Sequence, residues 1–275
     1  MKFIKYDLKP NTISNGTLYT YEVYIYGLGE DKKRLIRVYL PSNYDKEDRF
    51  PVIYMMDGKN LFDQHTSFMG EWCFDEVIED RIVNSKQSVI VVGIDSATSG
   101  VGRIEDMLPD NKYLTSVDDL PDNLNAYGKI LGEFIVKNIK PLIDKNFKTS
   151  EYCAIGGSSM GGLFAFYMAM KYKEVFNMSL CFSPAFCLYE DDFYKEKLNC
   201  VKGFENKMYL LVGDVEYENQ FVSLTEYTSD YLKELCLDNI KYVHDLTGIH
   251  HESFWNKYID DALDFWLENK KITNK

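Results

Sequence analysis

Short apolar runs rich in β-branched and aromatic residues recur along the chain at a spacing that suits strands. The runs "LYTYEVYIYG" (18–27) and "RLIRVYLP" (34–41) alternate apolar and polar positions with period two. Their closeness predicts an opening antiparallel ribbon. Six later runs, "FPVIYMMDG", "SVIVVGID", "EYCAIGGS", "FNMSLCFSP", "KMYLLVGD" and "IKYVHDL", are short and mostly apolar. That is the pattern of central strands covered on both faces.

Between these runs lie segments of helical periodicity: "WCFDEVIEDRIV", "NLNAYGKILGEFIVKNIKPLIDKNF", "GLFAFYMAMKY", "FVSLTEYTSDYLKELCL" and "SFWNKYIDDALDFWL". Strand and helix alternate from Phe50 onward, which predicts an α/β fold with a mostly parallel, twisted sheet. Right-handed crossovers then put helices on both faces. Two connections, 96–123 and 183–206, are longer than the rest, and long loops in compact domains are often functional. Neither is long enough to be a separate lid domain. No repeat, low-complexity tract or linker interrupts the 275 residues, so one domain over 1–275 is expected.

Composition changes this picture little but narrows the function. The chain is 45% apolar and 27% charged, with no apolar run long enough to span a bilayer. A soluble protein is expected. The stretch "MKFIKYDLKPNTISNG" lacks the apolar core of a secretory signal, so the expected location is cytoplasmic. A net charge of −12 disfavours phosphate backbones and anionic lipid surfaces, which need clustered Lys and Arg. Neither nucleic acid nor membrane is an expected partner, and a homo-oligomer is compatible with the composition. Cys73, Cys153, Cys181, Cys187, Cys200 and Cys236 form no CxxC pair and have no histidines at metal-ligand spacing. Buried reduced thiols are expected, with no metal and no organic cofactor.

The candidate chemistry sits in "AIGGSSMGGLFAF". Only Ser159 satisfies G-x-S-x-G, framed by Gly157 and Gly161; the frame centred on Ser158 would need glycine at Met160. A nucleophile on a sharp strand-to-helix turn has a strained backbone and needs small neighbours. Alone, the motif is short enough to arise by chance. Here it follows the apolar strand "EYCAI" and opens the apolar helix "LFAFYMAMKY", the context that gives it meaning. A phosphate-binding loop is the other reading of strand, glycines and helix N-terminus, but neither G-x-x-x-x-G-K-[ST] nor G-x-G-x-x-G is present.

A serine hydroxyl needs a base to take its proton and a third group to hold that base. The chain order Ser, acid, His of α/β-hydrolases excludes His65, which precedes Ser159. His244 falls within a predicted strand, where a structural or surface role is the simpler reading. The loop "TGIHHESFW" then offers His250 and His251, which spacing alone does not separate. After the strand "KMYLLVGD" the acid candidates are Asp214, Glu216 and Glu218, and a short turn after Gly213 favours Asp214 or Glu216. Each of these carboxylates, taken singly, is more readily read as a solvated surface group of an acidic protein. An oxyanion hole needs two backbone N–H donors. One is expected from Met160 at the start of the helix, the other from Lys59 in "MMDGKNLFD".

Taken in order, "YMMDGKNLFD", "GEWCFDEVIE", "IVVGID", "IKPLIDKNF", "AIGGSSMGGLFAFYMAMKY", "VFNMSLCFSPAF", "VGDVE" and "GIHHESFWNKYIDDALDFWL" resemble the blocks of the putative esterase (esterase D-like) family of α/β-hydrolases, from Val52 to Leu267. The family includes feruloyl esterases, siderophore esterases, S-formylglutathione hydrolases and mycolyltransferases. The resemblance implies an α/β-hydrolase fold with N-terminal antiparallel strands and no large lid. It implies Ser159 as nucleophile, His250 as base within G-x-H-x-E-x-x-W, and Glu216 as acid counted from Gly213. The D-G-x-N loop matches Asp57, Gly58, Lys59 and Asn60. From these blocks Asp57, Gly58, Asn60, Trp72 and Trp255 are expected to bind substrate. The chain departs from the family pattern at Met56, where many relatives have histidine, and at Met107, which replaces a tyrosine between the retained Arg103 and Pro109.

The resulting expectation is a serine carboxylesterase working on a small-molecule ester through a Ser-His-Glu triad and an acyl-enzyme, with acetyl or hydroxycinnamoyl esters as candidate substrates. A siderophore trilactone esterase, an acyltransferase on the same triad and a non-catalytic binding protein are the alternatives.

Overall fold

The computed structural model describes residues 4–5, 14–29, 31–112, 114–115, 121, 123–198, 205–216, 220–234 and 239–268. Its frame is one nine-stranded sheet. The strands are β1 (Ile4–Lys5), β2 (Thr17–Tyr24), β3 (Lys33–Leu40), β4 (Phe50–Met56), β5 (Ile90–Ile94), β6 (Thr149–Ser158), β7 (Met178–Phe182), β8 (Lys207–Val215) and β9 (Ile240–Ile249). Their spatial order is β1-β2-β3-β5-β4-β6-β7-β8-β9. β1 to β3 pair antiparallel, and β3 also runs antiparallel to β5. From β5 onward every pairing is parallel. Both the alternating ribbon and the apolar central strands therefore form as their side-chain patterns predict.

The helices are α1 (Phe74–Val83), α2 (Gly100–Met107), α3 (Gly128–Phe134), α4 (Lys140–Asn146), α5 (Met160–Lys171), α6 (Asp191–Leu198), α7 (Gln220–Glu234), α8 (Glu252–Trp255) and α9 (Ile259–Leu267). α3 and α4 are joined by one π-helical stretch, Ile135–Ile139, so that the helix predicted across 123–147 begins only at Gly128. α2 and α6 lie inside the two long connections, where periodicity does not predict them. The segment expected as one final helix is interrupted by a 3₁₀ turn at Asn256–Tyr258.

Every residue of β4, β5 and β7 is buried, because helices cover both faces of the sheet. One core lies under α3 to α5 and includes Val52, Val92, Leu163 and Phe166. The other lies under α1 and α9 and includes Ile53, Val91, Ile78 and Leu263. Each such aliphatic or aromatic side chain contributes about 1.5 to 3 kcal/mol by leaving water. This is the α/β-hydrolase architecture, with no lid among the described residues. None of their helices is long and apolar enough to cross a membrane. Cys153 and Cys181 are buried free thiols, and Cys73 and Cys187 are half-buried and free; Cys200 and Cys236 lie outside the described residues.

Candidate active site

The carboxyl ends of β6, β7, β8 and β9 carry the site. β6 stops at Ser158, and Ser159 takes φ 55 and ψ −119 before α5 begins. A non-glycine residue at positive φ is costly unless its surroundings enforce it. Here they do: Ser159 N–H donates to the Phe182 carbonyl at 2.9 Å, and the Ser159 carbonyl accepts from Leu163 and Ala185, both at 3.0 Å. A Cβ at Gly157 would meet the Gly161 backbone at 2.8 Å. The outer glycines of the motif thus admit the close contact between strand end and helix start.

β8 and β9 approach each other closely at Gly213 and Gly248, where a Cβ on either would meet the other's backbone. The register shifts between Gly213 and Val215, so that Glu216 turns inward. Its Oε2 lies 3.0 Å from His250 Nδ1. Its Oε1 accepts from Gly213 N–H at 3.0 Å and from the Ser183 hydroxyl at 2.7 Å. With the Glu216 carboxylate as acceptor, a neutral His250 ring carries its hydrogen on Nδ1 and its lone pair on Nε2. The His250 ring is packed edge-on by Trp255 and Phe221, with centroids 5.1 Å away in each case.

The other candidates have different partners. Asp214 Oδ1 lies 3.0 Å from His244 Nε2, outside the site. His251 caps α8, its Nδ1 accepting from Ser253 N–H at 3.1 Å. His65 lies in the loop after β4, its N–H donating to Asp63. Glu218 lies outside the described residues.

The loop after β4 begins with Asp57 in the left-handed region, φ 56 and ψ 48, followed by a 3₁₀ turn over Gly58–Asn60. Lys59 N–H belongs to the first turn of that helix, and Met160 N–H to the first turn of α5. Such groups have no intrahelical acceptor. Arg103 of α2 grips Asp57 with Nε to Oδ1 at 2.8 Å and Nη2 to Oδ2 at 2.7 Å, and Ser96 Oγ donates to Oδ1 at 2.5 Å. Burial works against the Asp57 charge, yet Arg103 and Ser96 outweigh it and hold the carboxyl below its usual range. Burial likewise opposes the Arg103 charge, and Asp57 overrides it upward.

The residues expected to bind substrate are seated differently. Asp57 is committed to Arg103 and Ser96, while Asn60 donates to Glu252 at 3.2 Å and accepts from Phe68 N–H at 3.0 Å. Gly58 packs on the backbone of Gly93. Trp72 and Trp255, 2% and 4% exposed, stack on each other at 5.4 Å. They form a buried aromatic floor under the site. A tryptophan next to a catalytic motif looks the same in sequence whether it faces the cleft or the core. Ser96 and Ser183 join the site beside the retained Arg103 without having been expected in it, although the serine directly after an apolar strand in "CFSP" occupies the place where such a group would sit.

Residues 30–273 match the family described as Putative esterase. The chain belongs to this esterase family. It is accordingly an enzyme acting on carboxylic ester bonds. No curated protein sequence matches it. Among solved structures, the BES protein from Bacillus cereus is similar at 22% identity and a TM-score of 0.74, covering 94% of this chain and 98% of that one. The siderophore hydrolase EstA from Aspergillus nidulans is similar at 17% identity and a TM-score of 0.70, covering 96% of each chain. A feruloyl esterase module from Clostridium thermocellum, complexed with sinapinate, is similar at 14% identity and 0.66, covering 98% of this chain and 96% of that one. These likenesses are of fold.

In this esterase, Glu71, Cys73 and Glu76 bring three potential metal-ligand atoms within 4.8 Å of one another. Asp75 and Glu76 stand in the first turn of α1, whose dipole favours anions and opposes a cation. Burial, then Glu76 and Asp63, push Glu71 up to about 7. Burial, then Glu76, likewise raises Asp75.

Proposed function

We propose that this chain is a serine carboxylesterase using a Ser159, His250 and Glu216 triad. The observation that carries the reading is Glu216 Oε2 at 3.0 Å from His250 Nδ1, at the same carboxyl end of the sheet as the strained Ser159. Nε2 of His250 takes the hydroxyl proton as Ser159 Oγ attacks the ester carbonyl. The N–H groups of Lys59 and Met160 stabilise the oxyanion, aided by the positive end of α5. His250 then protonates the departing alcohol. Water enters, gives its proton to His250 and attacks the acyl-enzyme, releasing the acid and restoring Ser159.

The substrate is an ester with an apolar or aromatic acyl group, of the acetyl to hydroxycinnamoyl range. Phe68 and Met69, 76% and 64% exposed, follow the loop that carries Lys59, and Asn60 fixes the Phe68 backbone. They support the reading by offering apolar surface beside the oxyanion loop. The similarity to a feruloyl esterase module supports it too.

The test is hydrolysis of p-nitrophenyl acetate and methyl hydroxycinnamates by the wild type and by Ser159→Ala. In a serine protease with a triad of the same kind on an unrelated fold, loss of the serine costs about 10⁶-fold in kcat. A Ser159→Ala enzyme with near wild-type turnover would refute the triad. A wild type that labels with fluorophosphonate yet ignores both ester classes would refute the substrate assignment alone.

A further inference from the structure

Ser183 is fully buried and follows β7 with φ 41, a left-handed conformation that a non-glycine residue keeps only when its surroundings enforce it. Its N–H donates to the Leu211 carbonyl at 2.7 Å. Its hydroxyl stands between two fixed partners, Trp255 Nε1 at 2.8 Å and Glu216 Oε1 at 2.7 Å.

The direction of these bonds is determined by chemistry. The indole Nε1–H can only donate, and an ionised carboxylate can only accept. Ser183 Oγ therefore accepts from Trp255 and sends its single hydrogen to Glu216. With Gly213 N–H also on Oε1, one oxygen of the carboxylate is held by two donors. Only Oε2 is left to face His250 Nδ1.

We propose that Ser183 is a positioning residue for catalysis, a fourth member of the site that orients the Glu216 carboxylate toward His250 under the direction of Trp255. This rests on the Ser159, His250 and Glu216 reading above. It also reassigns Trp255, whose indole N–H sets the polarity of the relay while its ring supports the His250 imidazole. The strained backbone at Ser183 is consistent with this role, because the left-handed turn lets the hydroxyl reach Glu216 while its N–H stays bonded to β8.

The experiment compares Ser183→Ala, Ser183→Gly, Ser183→Cys and Trp255→Phe with Ser159→Ala, measuring kcat and KM on a p-nitrophenyl ester together with the thermal midpoint. A hydrogen bond to a charged group has a worth that corresponds to about tenfold to a hundredfold in rate. Ser183→Ala and Ser183→Gly are expected to lose kcat by that factor with KM little changed. Ser183→Cys, which keeps the shape but donates weakly, should fall between them and the wild type. Trp255→Phe should lose less than Ser183→Ala, in the same direction. Ser183→Gly also removes the backbone penalty of a positive φ, so it should lose activity without losing thermal stability relative to Ser183→Ala. If Ser183→Gly turns over like the wild type while Ser159→Ala is inactive, the role of Ser183 is wrong and the triad stands. If Ser159→Ala is active, the triad falls and the role of Ser183 falls with it. Should Ser183→Ala fail to fold, the glycine and cysteine variants decide the question in the same way.

Discussion

Asp214 Oδ1 pairs with His244 Nε2 at 3.0 Å, so the carboxylate two residues before Glu216 has an imidazole of its own. The two acid–histidine pairs run side by side between β8 and β9, and only the one made by Glu216 lies inside. Glu216→Gln should therefore lower kcat by orders of magnitude, as amidation of the acid in a serine protease triad costs about 10⁴-fold. Asp214→Asn should leave kcat within about twofold, since an exposed pair of this kind is worth about 0 to 1 kcal/mol. Steady-state kinetics of the two variants measures the difference, and a larger loss in Asp214→Asn would exchange the roles assigned here.

His250 and His251 are neighbours with separate tasks. His251→Ala should retain turnover and lose about 1 kcal/mol of stability with the α8 cap, visible as a lower urea midpoint. His250→Ala should keep its fold and lose its activity. A His251→Ala enzyme that folds but does not turn over would contradict the assignment.

The Arg103 and Asp57 pair fixes the loop that presents Lys59. Arg103→Met strands a buried carboxylate, and breaking such a pair costs about 3 to 5 kcal/mol. The lower end applies, because the Arg103 side chain is 27% exposed. Arg103→Lys restores the charge but not the two parallel bonds, so it should recover stability ahead of kcat. Thermal midpoints and kcat for the two variants test this, and full recovery of kcat by lysine would argue against a geometric role.

Acid–base behaviour gives a fourth expectation. Glu71, pushed from 4.5 up to about 7, stays protonated in the folded protein at pH values where the unfolded chain has already released the proton. The folded state then binds more protons than the unfolded one, so the contribution of this group is intact below about pH 4.5 and is lost as the pH rises through 7. Asp75 is raised as well and acts in the same direction. Thermal midpoints across this range should decline more in the wild type than in Glu71→Gln. An identical decline in both would remove Glu71 as the cause.

Strands are legible in the sequence because alternation and apolar runs report burial directly, and β2 to β9 all lie within the runs that predict them or overlap them closely. α2 is not, since "GVGRIEDM" is only eight residues long and opens with two glycines in three residues; its Ser99 cap, which accepts from Gly102 N–H, is the available signal. The G-x-S-x-G motif is local and can be read. The choice between Asp214 and Glu216 cannot be made from residue pattern alone, because the register shift between Gly213 and Val215 breaks the alternation that would assign each side chain a face. The burial of Trp72 and Trp255 is not legible either, because sequence proximity to a motif carries no information on which way a ring points.

The backbone of Ser159 has one more consequence. Its φ of 55 is maintained by contacts from β7, from α5 and from Ala185, pieces that come together only in the finished molecule. On the proposed triad, an unfolded or half-assembled chain has the same serine without the elbow, and so without the reactivity proposed for it. A fluorophosphonate tag on Ser159 would therefore count native molecules one by one, making the enzyme a gauge of its own folding in a denaturant series or a crude extract.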